Sequence, residues 1–223
     1  MEPAKSSWGG MGHSLYGDGR LGDWMETPQI LAVLCPKILQ HRVNFSAQEV
    51  SNALHGFRWI DDSQKVRPIV AAFLPKLKQC REKLNAAQLT KALYGLQGLT
   101  DSAEVRQLVA MLIPKIEECR EDLSTSQVSN ALYGFQGLVD TMEARKLMAV
   151  MTPMVQRCRE GMSGRAIGNA FYGLQRLTDS AEKQQLVEAL TAKVQLSFAE
   201  LNAEEMSNAL YGLQGLALRW NDF

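Results

Sequence analysis

The chain has 223 residues, 46% of them hydrophobic, which is enough for a sizeable buried core. Lysine and arginine together number 24, as do aspartate and glutamate, so composition alone does not indicate a strongly basic nucleic-acid-binding protein. No apolar run approaches the roughly 18 residues that span a membrane, and the first residues resemble neither a signal peptide nor a transit peptide. We therefore expect a soluble intracellular protein without membrane insertion, although a presequence could lie outside this sequence.

The first 22 residues contain six glycines. The stretch from Gly17 to Gly22 has the letters of a dinucleotide-binding loop, but no predicted strand precedes it. Residues 14–17 instead lie 39 positions before the similar residues 53–56, which places them in register with a repeat. We predict that residues 1–22 are a glycine-rich, degenerate repeat remnant, poorly ordered or irregular.

One sequence pattern recurs along the rest of the chain. Residues 123–140 reappear, lightly changed, at 84–101, 162–179 and 45–62, and in shortened form at 201–217. The step is 39 residues, as the positions of Pro36, Pro75, Pro114 and Pro153 show. A fixed step of this size is typical of a solenoid built from one supersecondary unit.

The pattern predicts an all-α fold, an α-solenoid (superhelix) of antiparallel helix pairs with a 39-residue repeat over residues 23–217. Its predicted units are 45–83, 84–122, 123–161, 162–200 and the half unit 201–217. Residues 218–223 form a C-terminal tail, and we expect Leu218, Trp220 and Phe223 to fold back as a cap.

The leading helix of each unit is predicted to begin after a capping side chain. The caps are Ser46, Asn85, Ser124, Ser163 and Asn202. With the cap counted as position 1, positions 5, 8, 9, 12 and 15 are apolar and form one buried face. Position 11 is always glycine, and we expect it to lie within the helix, where a neighbouring helix approaches closely. The helices are predicted to end near Gly98, Gly137 and Gly215.

The second helix of each unit is predicted to begin with a capping box. The boxes are Asp23 to Glu26, Asp101 to Glu104, Asp140 to Glu143 and Asp179 to Glu182. The four prolines of the repeat fall inside the apolar spacing of these helices, and we expect each proline to bend its helix.

Three cysteines, Cys80, Cys119 and Cys158, share a column with His41 and Ser197. Equivalent residues of adjacent units lie about 8–10 Å apart, whereas zinc needs ligands at about 2.0–2.3 Å and a disulfide needs Cα atoms within about 7 Å. These cysteines, with Cys35, are predicted to be reduced, packed thiols, and no metal or cofactor is predicted. The three histidines are scattered and no catalytic constellation is present, so we predict a protein that is not an enzyme.

Polar and aromatic residues occupy the face of the leading helices opposite the core, which in stacked helix pairs tends to line a continuous, usually concave surface. The candidate binding residues of this stripe are Gln48, Asn52, His55, Arg58, Lys91, Tyr94, Gln97, Ser126, Asn130, Tyr133, Gln136, Arg165, Asn169, Tyr172, Gln175, Asn208, Tyr211 and Gln214. Such side chains can read single-stranded RNA. They can equally form ladders that satisfy polar groups between units.

A second, basic column lies near the end of the second helices. It consists of Arg42, Arg81, Arg120 and Arg159, with Lys37, Lys76 and Lys115 five residues earlier. These residues could hold phosphates, or they could stabilise helix ends locally.

The stretch from Ser46 to Phe57, Ser-Ala-Gln-Glu-Val-Ser-Asn-Ala-Leu-His-Gly-Phe, resembles the octotricopeptide repeat family, whose helix-pair repeat has a Ser-x-x-x-Leu-Ala-Asn-x-Leu-Trp-Ala-Leu core. Residues 73–77, Phe-Leu-Pro-Lys-Leu, resemble its Leu-Pro-Arg-Leu segment. The resemblance covers about residues 45–217 and, more faintly, 14–44. It implies sequence-selective RNA binding in a mitochondrion or chloroplast, in transcript processing, stability or translation.

This chain departs from the family pattern where tyrosine or histidine replaces tryptophan and where glycine replaces alanine. Our hypothesis is a non-catalytic, single-stranded RNA-binding repeat protein that acts in a larger assembly. The alternative is a protein-protein interaction scaffold or a structural subunit of a larger organellar complex.

Overall fold

The computed structural model describes residues 27–59, 63–197 and 200–213, and over these ranges the protein consists of ten α-helices with no strand. Their bounds are α1 Thr27–Gln40, α2 Ala47–Gly56, α3 Ser63–Gln79, α4 Ala86–Tyr94, α5 Ala103–Glu118, α6 Thr125–Tyr133, α7 Met142–Arg157, α8 Gly164–Tyr172, α9 Ala181–Gln195 and α10 Ala203–Gly212. The all-α prediction is confirmed. The remnant at 1–22, the first capping box and the tail at 218–223 lie outside the described residues.

The helices form two rows. The even-numbered helices, which are the predicted leading helices, contact one another in chain order from α2 to α10, and the odd-numbered helices do the same from α1 to α9. One cluster of buried apolar side chains includes residues of both rows. Phe73 of α3, for example, lies edge-on to Phe57, which follows α2, with 5.9 Å between the ring centres. The core therefore lies between the rows.

Side-chain caps begin the even-numbered helices at the predicted residues. Each cap accepts a hydrogen bond from the backbone N–H of the third helical residue, as Ser124 does from Gln127. The predicted apolar face is buried as well: Val128, Leu132 and Phe135 of this unit are each 1% exposed or less. The predicted caps are confirmed, and so is the buried face of α2 to α8. In α10 the prediction of a buried face is wrong: the equivalent Met206 and Leu210 are 51% and 63% exposed, because no further even-numbered helix is described beyond α10 to cover them.

The predicted caps of the odd-numbered helices are wrong by one residue. The hydroxyls of Ser102, Thr141 and Ser180, rather than the preceding aspartates, accept the capping hydrogen bonds. Asp101 instead accepts two hydrogen bonds, of 2.6 and 2.9 Å, from Arg106, and Asp140 is held by Arg145 in the same way. Asp179 accepts from Gln184 at 2.8 Å, so in all three cases a side chain of the next turn holds the carboxylate and the neighbouring hydroxyl caps the helix.

Repeated glycines bring the backbones of successive even-numbered helices into contact. A Cβ atom on Gly134 would lie 2.0 Å from the carbonyl oxygen of Leu93, and one on Gly173 would lie 1.9 Å from that of Leu132. The predicted close approach is therefore present. The predicted position within an α-helix is wrong for Gly95, Gly134 and Gly173, which follow the last residue of their helices, whereas Gly56 and Gly212 are the last residues of α2 and α10. The α-helix ends at Tyr133, and Gly134 begins a 3₁₀ segment that runs to Gly137, the predicted end.

Side chains from α3, from α5 and from the loop after α5 bond to backbone groups that lie earlier in the chain. The ammonium group of Lys115 donates hydrogen bonds to the carbonyl oxygens of Cys80 and Glu82, at 2.6 and 2.9 Å, and Lys76 donates to the carbonyl of His41. The carboxylate of Glu121 accepts from the first backbone N–H of α4, that of Ala86, at 2.8 Å. These residues therefore satisfy backbone groups at the ends of neighbouring helices.

The cysteines Cys80, Cys119 and Cys158 are buried thiols. The Sγ atoms of Cys80 and Cys119 lie 3.9 and 4.0 Å from the carbonyl oxygens of Glu82 and Glu121, within reach of a weak hydrogen bond.

Candidate binding surface

Aromatic rings of the predicted stripe form a ladder along the even-numbered row. Successive ring centres lie 5.8–5.9 Å apart with angles of 21–30° between their planes. The described rings of the ladder are, in order, His55, Tyr94, Tyr133, Tyr172 and Tyr211. A base inserted between two rings needs about 7 Å between their planes, twice the stacking distance of about 3.5 Å. Neighbouring rings therefore cover the faces of the inner rings, and their edges and hydroxyl groups are left for a ligand.

Polar side chains of the stripe also bond to one another between neighbouring helical segments. Gln136 donates to Gln97 at 3.3 Å, across 39 residues of sequence. Lys91 donates to Asn52 at 2.7 Å, again across 39 residues. These four side chains hold adjacent even-numbered helices together, which is the structural role that the sequence left open for such columns.

A cavity of about 730 Å³, here called the large cavity, opens on the outer face of α4, α6, α8 and α10. Six of the predicted binding residues line it: Tyr94, Asn130, Tyr133, Arg165, Asn169 and Asn208. Glu204 and Glu205 lie on the same lining, so the charges in this cavity are mixed. Its asparagines offer both hydrogen-bond donors and acceptors to a ligand.

A second cavity of about 550 Å³, here called the small cavity, opens over α2 and α4. Its lining includes His55, Arg58 and Lys91, and it shares Tyr94 and Asn130 with the large cavity. The guanidinium carbon of Arg58 lies 5.3 Å from the centre of the Tyr94 ring, a cation–π contact. The small cavity is therefore the more basic of the two.

The basic groups of the small cavity act on one another. The His55 side chain is buried, and burial together with the charges of Arg58 and Lys91 lowers its pKa from 6.5 to about 4. Burial, and then the charge of Arg58, also lower the pKa of Lys91. At neutral pH His55 is therefore uncharged, and two cations lie beside it.

The other predicted binding residues line neither of these cavities. They are Gln48, Asn52, Gln97, Ser126, Gln136, Tyr172, Gln175 and Tyr211. Gln214 lies outside the described residues. The structure adds Thr90 and Gln127 to the small cavity and Asn202 to the large one. Gln127 and Asn202 belong to helix caps, so the capping pattern was the signal that could have identified them.

The basic column of the second helices lies elsewhere. Arg81, Arg120 and Arg159 are exposed. Lys76 and Lys115 contact the backbone of the preceding helix pair, as described above. The described parts of the chain contain no group of three or more His, Cys, Asp or Glu side chains that could hold a metal ion. None of the helices described is long and apolar enough to span a membrane.

Comparison of the chain with protein-family models, with curated proteins and with solved structures finds no significant match.

Proposed function

We propose that the chain is a non-catalytic α-solenoid with a 39-residue repeat that binds single-stranded RNA along the outer face of its even-numbered helices. The observation that carries this proposal is the pair of adjoining cavities, of about 730 and 550 Å³, which share Tyr94 and Asn130. Together they extend from α2 to α10, and nine of the predicted binding residues line them. An extended ligand fits such a surface better than a compact one.

Hydrogen bonds to base edges, rather than intercalation between rings, are the mode of recognition that this surface favours. Asn130, Asn169 and Asn208 offer amide groups that can pair with base edges. Arg165 of the large cavity and Arg58 and Lys91 of the small cavity can contact phosphates. The tyrosine rings are stacked on one another, so they contribute edges and hydroxyl groups. At one base per helix pair the site would cover about five or six nucleotides, and we infer that the chain works within a larger assembly.

A protein partner is the second candidate, and one observation favours it. Glu204 and Glu205 line the large cavity beside Arg165. Carboxylates repel the phosphates of RNA, whereas they attract the lysine and arginine side chains of a peptide. A basic, extended peptide segment would therefore suit this end of the surface, in agreement with the zero net charge of the whole chain.

Fluorescence anisotropy with labelled single-stranded RNA of random sequence tests the first candidate. We expect binding at about 50 mM salt that weakens steeply towards about 200 mM, because phosphate contacts release counterions. Arg165→Met should weaken binding to all sequences and reduce the salt slope by about one. The matched control is Arg120→Met, which removes an equal charge from the exposed basic column and should change neither quantity.

The variant Asn169→Ala tests base recognition separately. We expect it to lower the affinity for some sequences more than for others, by about 1–3 kcal/mol, since an amide reads base edges. If RNA is not retained even at low salt, the RNA proposal is wrong and the protein partner is favoured. Capture of Arg-rich peptides that depends on Glu204 would then support the second candidate.

A further inference from the structure

The small cavity brings together basic side chains that lie apart in the sequence. Arg58 comes from the 3₁₀ segment after α2, and Lys91 comes from α4, yet both line one space of about 550 Å³ with His55. None of the described residues that line this cavity is a carboxylate. Packing two cations and a histidine together costs free energy, and an anion between them would offset that cost.

The hydrogen-bonding groups of the cavity also suit an anion. The Lys91 ammonium group lines the cavity and donates a hydrogen bond to Asn52 at 2.7 Å, so this donor group is held in place at the cavity wall. The Arg58 guanidinium lies over the Tyr94 ring, and its planar fork matches two oxygen atoms of one phosphate. Gln127 and Asn130, which also line the cavity, add amide N–H groups.

We propose that the small cavity is an anion-binding site for a single phosphate group, held by the side chains of Arg58, Lys91 and His55. Phosphate fits better than a carboxylate because it presents three or more oxygen atoms to donors that arrive from two different helices. The phosphate can belong to the backbone of RNA, to its terminus or to a free phosphate ion. Only this choice of source rests on the proposed RNA-binding function.

His55 provides a direct readout of occupancy. Arg58 and Lys91 raise the electrostatic cost of protonating this imidazole, so its pKa lies at about 4. A phosphate in the cavity brings negative charge close to the ring, and the pKa of His55 should then rise by about one pH unit or more. Added salt also screens the repulsion from Arg58 and Lys91 and so raises the same pKa, and chloride at equal ionic strength measures that contribution.

The test is an NMR pH titration of the His55 ring in the full chain, with inorganic phosphate and then with chloride at equal ionic strength. We expect the pKa to be higher in phosphate, and the difference to disappear in Lys91→Met and in Arg58→Gln. The matched control is Lys78→Met, which removes an exposed charge on α3 and should keep the full difference. Circular dichroism of each variant shows whether it is folded, and either of the two cavity variants is sufficient for the comparison.

An equal His55 pKa in phosphate and chloride would overturn the proposal, as would a phosphate response that survives in both cavity variants. A phosphate response in a chain that fails to bind RNA would keep this site and reject the proposed function. RNA binding without any phosphate response would keep the proposed function and reject this site.

Three oligonucleotides of one sequence, with a 5′-phosphate, a 3′-phosphate or two hydroxyl ends, then identify the source. Tenfold tighter binding of one phosphorylated form, lost in Lys91→Met, indicates a terminal phosphate. Equal binding of all three that weakens in Lys91→Met indicates a backbone phosphate. Binding that does not depend on Lys91 for any of them would contradict a role of the site in RNA binding.

Discussion

Replacing Gly134 with alanine adds one methyl group at the contact between α4 and α6. Its Cβ atom would lie 2.0 Å from the carbonyl oxygen of Leu93, whereas such atoms normally stay more than about 3 Å apart. The obstacle is backbone, so the two helices must separate by about 1 Å. We take about 40 atom contacts between these helices, each worth about 0.15 kcal/mol of dispersion energy. If the separation removes a quarter to a half of that energy, the loss is about 1.5–3 kcal/mol.

Helix propensity acts in the opposite direction, because alanine is favoured over glycine by up to about 1 kcal/mol. We therefore expect Gly134→Ala to lower the free energy of unfolding by about 2 kcal/mol in urea denaturation followed by circular dichroism. The control is Gly98→Ala, whose Cβ atom would lie 3.0 Å from the Arg58 carbonyl oxygen, so a shift of a few tenths of an ångström suffices. We expect that variant to stay within about 1 kcal/mol of the wild type. A Gly134→Ala protein as stable as the wild type would refute the backbone contact.

Three further predictions concern the ring ladder, the lysine contacts and the buried histidine. Tyr133→Leu removes two ring contacts and should lower the free energy of unfolding by about 2 kcal/mol. Tyr211→Leu changes a side chain that is 47% exposed and should lower it by less than half as much. Equal losses in urea unfolding would argue against the ladder. Lys115→Met introduces the residue type found 39 positions later, at Met154, but removes two hydrogen bonds to carbonyl groups. We expect the free energy of unfolding to fall by about 1–2 kcal/mol. Unchanged stability would mean that water replaces the ammonium group. His55→Gln should flatten the pH dependence of stability. In the wild type the histidine takes up a proton near pH 6.5 when unfolded but only near about 4 when folded, so a fall in pH through this window lowers the free energy of unfolding by up to about 3 kcal/mol. Parallel stability curves for the two proteins would contradict the buried, neutral imidazole.

Helix caps and the buried face of the even-numbered helices could be read from the sequence because both depend on short-range spacing. Ser124 caps the helix that follows it, and the apolar residues after it recur at helical intervals. The caps of the odd-numbered helices were harder to assign, since Asp101 and Ser102 are both good caps. The choice between them depends on Arg106, which lies on the next turn and holds the aspartate.

The geometry of the candidate site could not be predicted in the same way. Sequence spacing places Tyr94 and Tyr133 in one column, but it does not give the distance between their rings. That distance follows from the backbone contact at Gly134, which brings the helices close enough for the rings to cover one another. The cavities depend on side-chain sizes in several helices at once, so the sequence assigned Asn202 to a cap alone and did not single out Gln127.

The contacts made by Glu121 and Lys115 also have a consequence for the order in which the chain folds. Each of these residues reaches back to a backbone group 35 positions earlier, Glu121 to the amide of Ala86 and Lys115 to the carbonyl of Cys80. During synthesis on the ribosome, these backbone groups therefore stay exposed to water until α5 and the loop after it have emerged. Completion of this segment then secures helix ends that were made earlier in the chain.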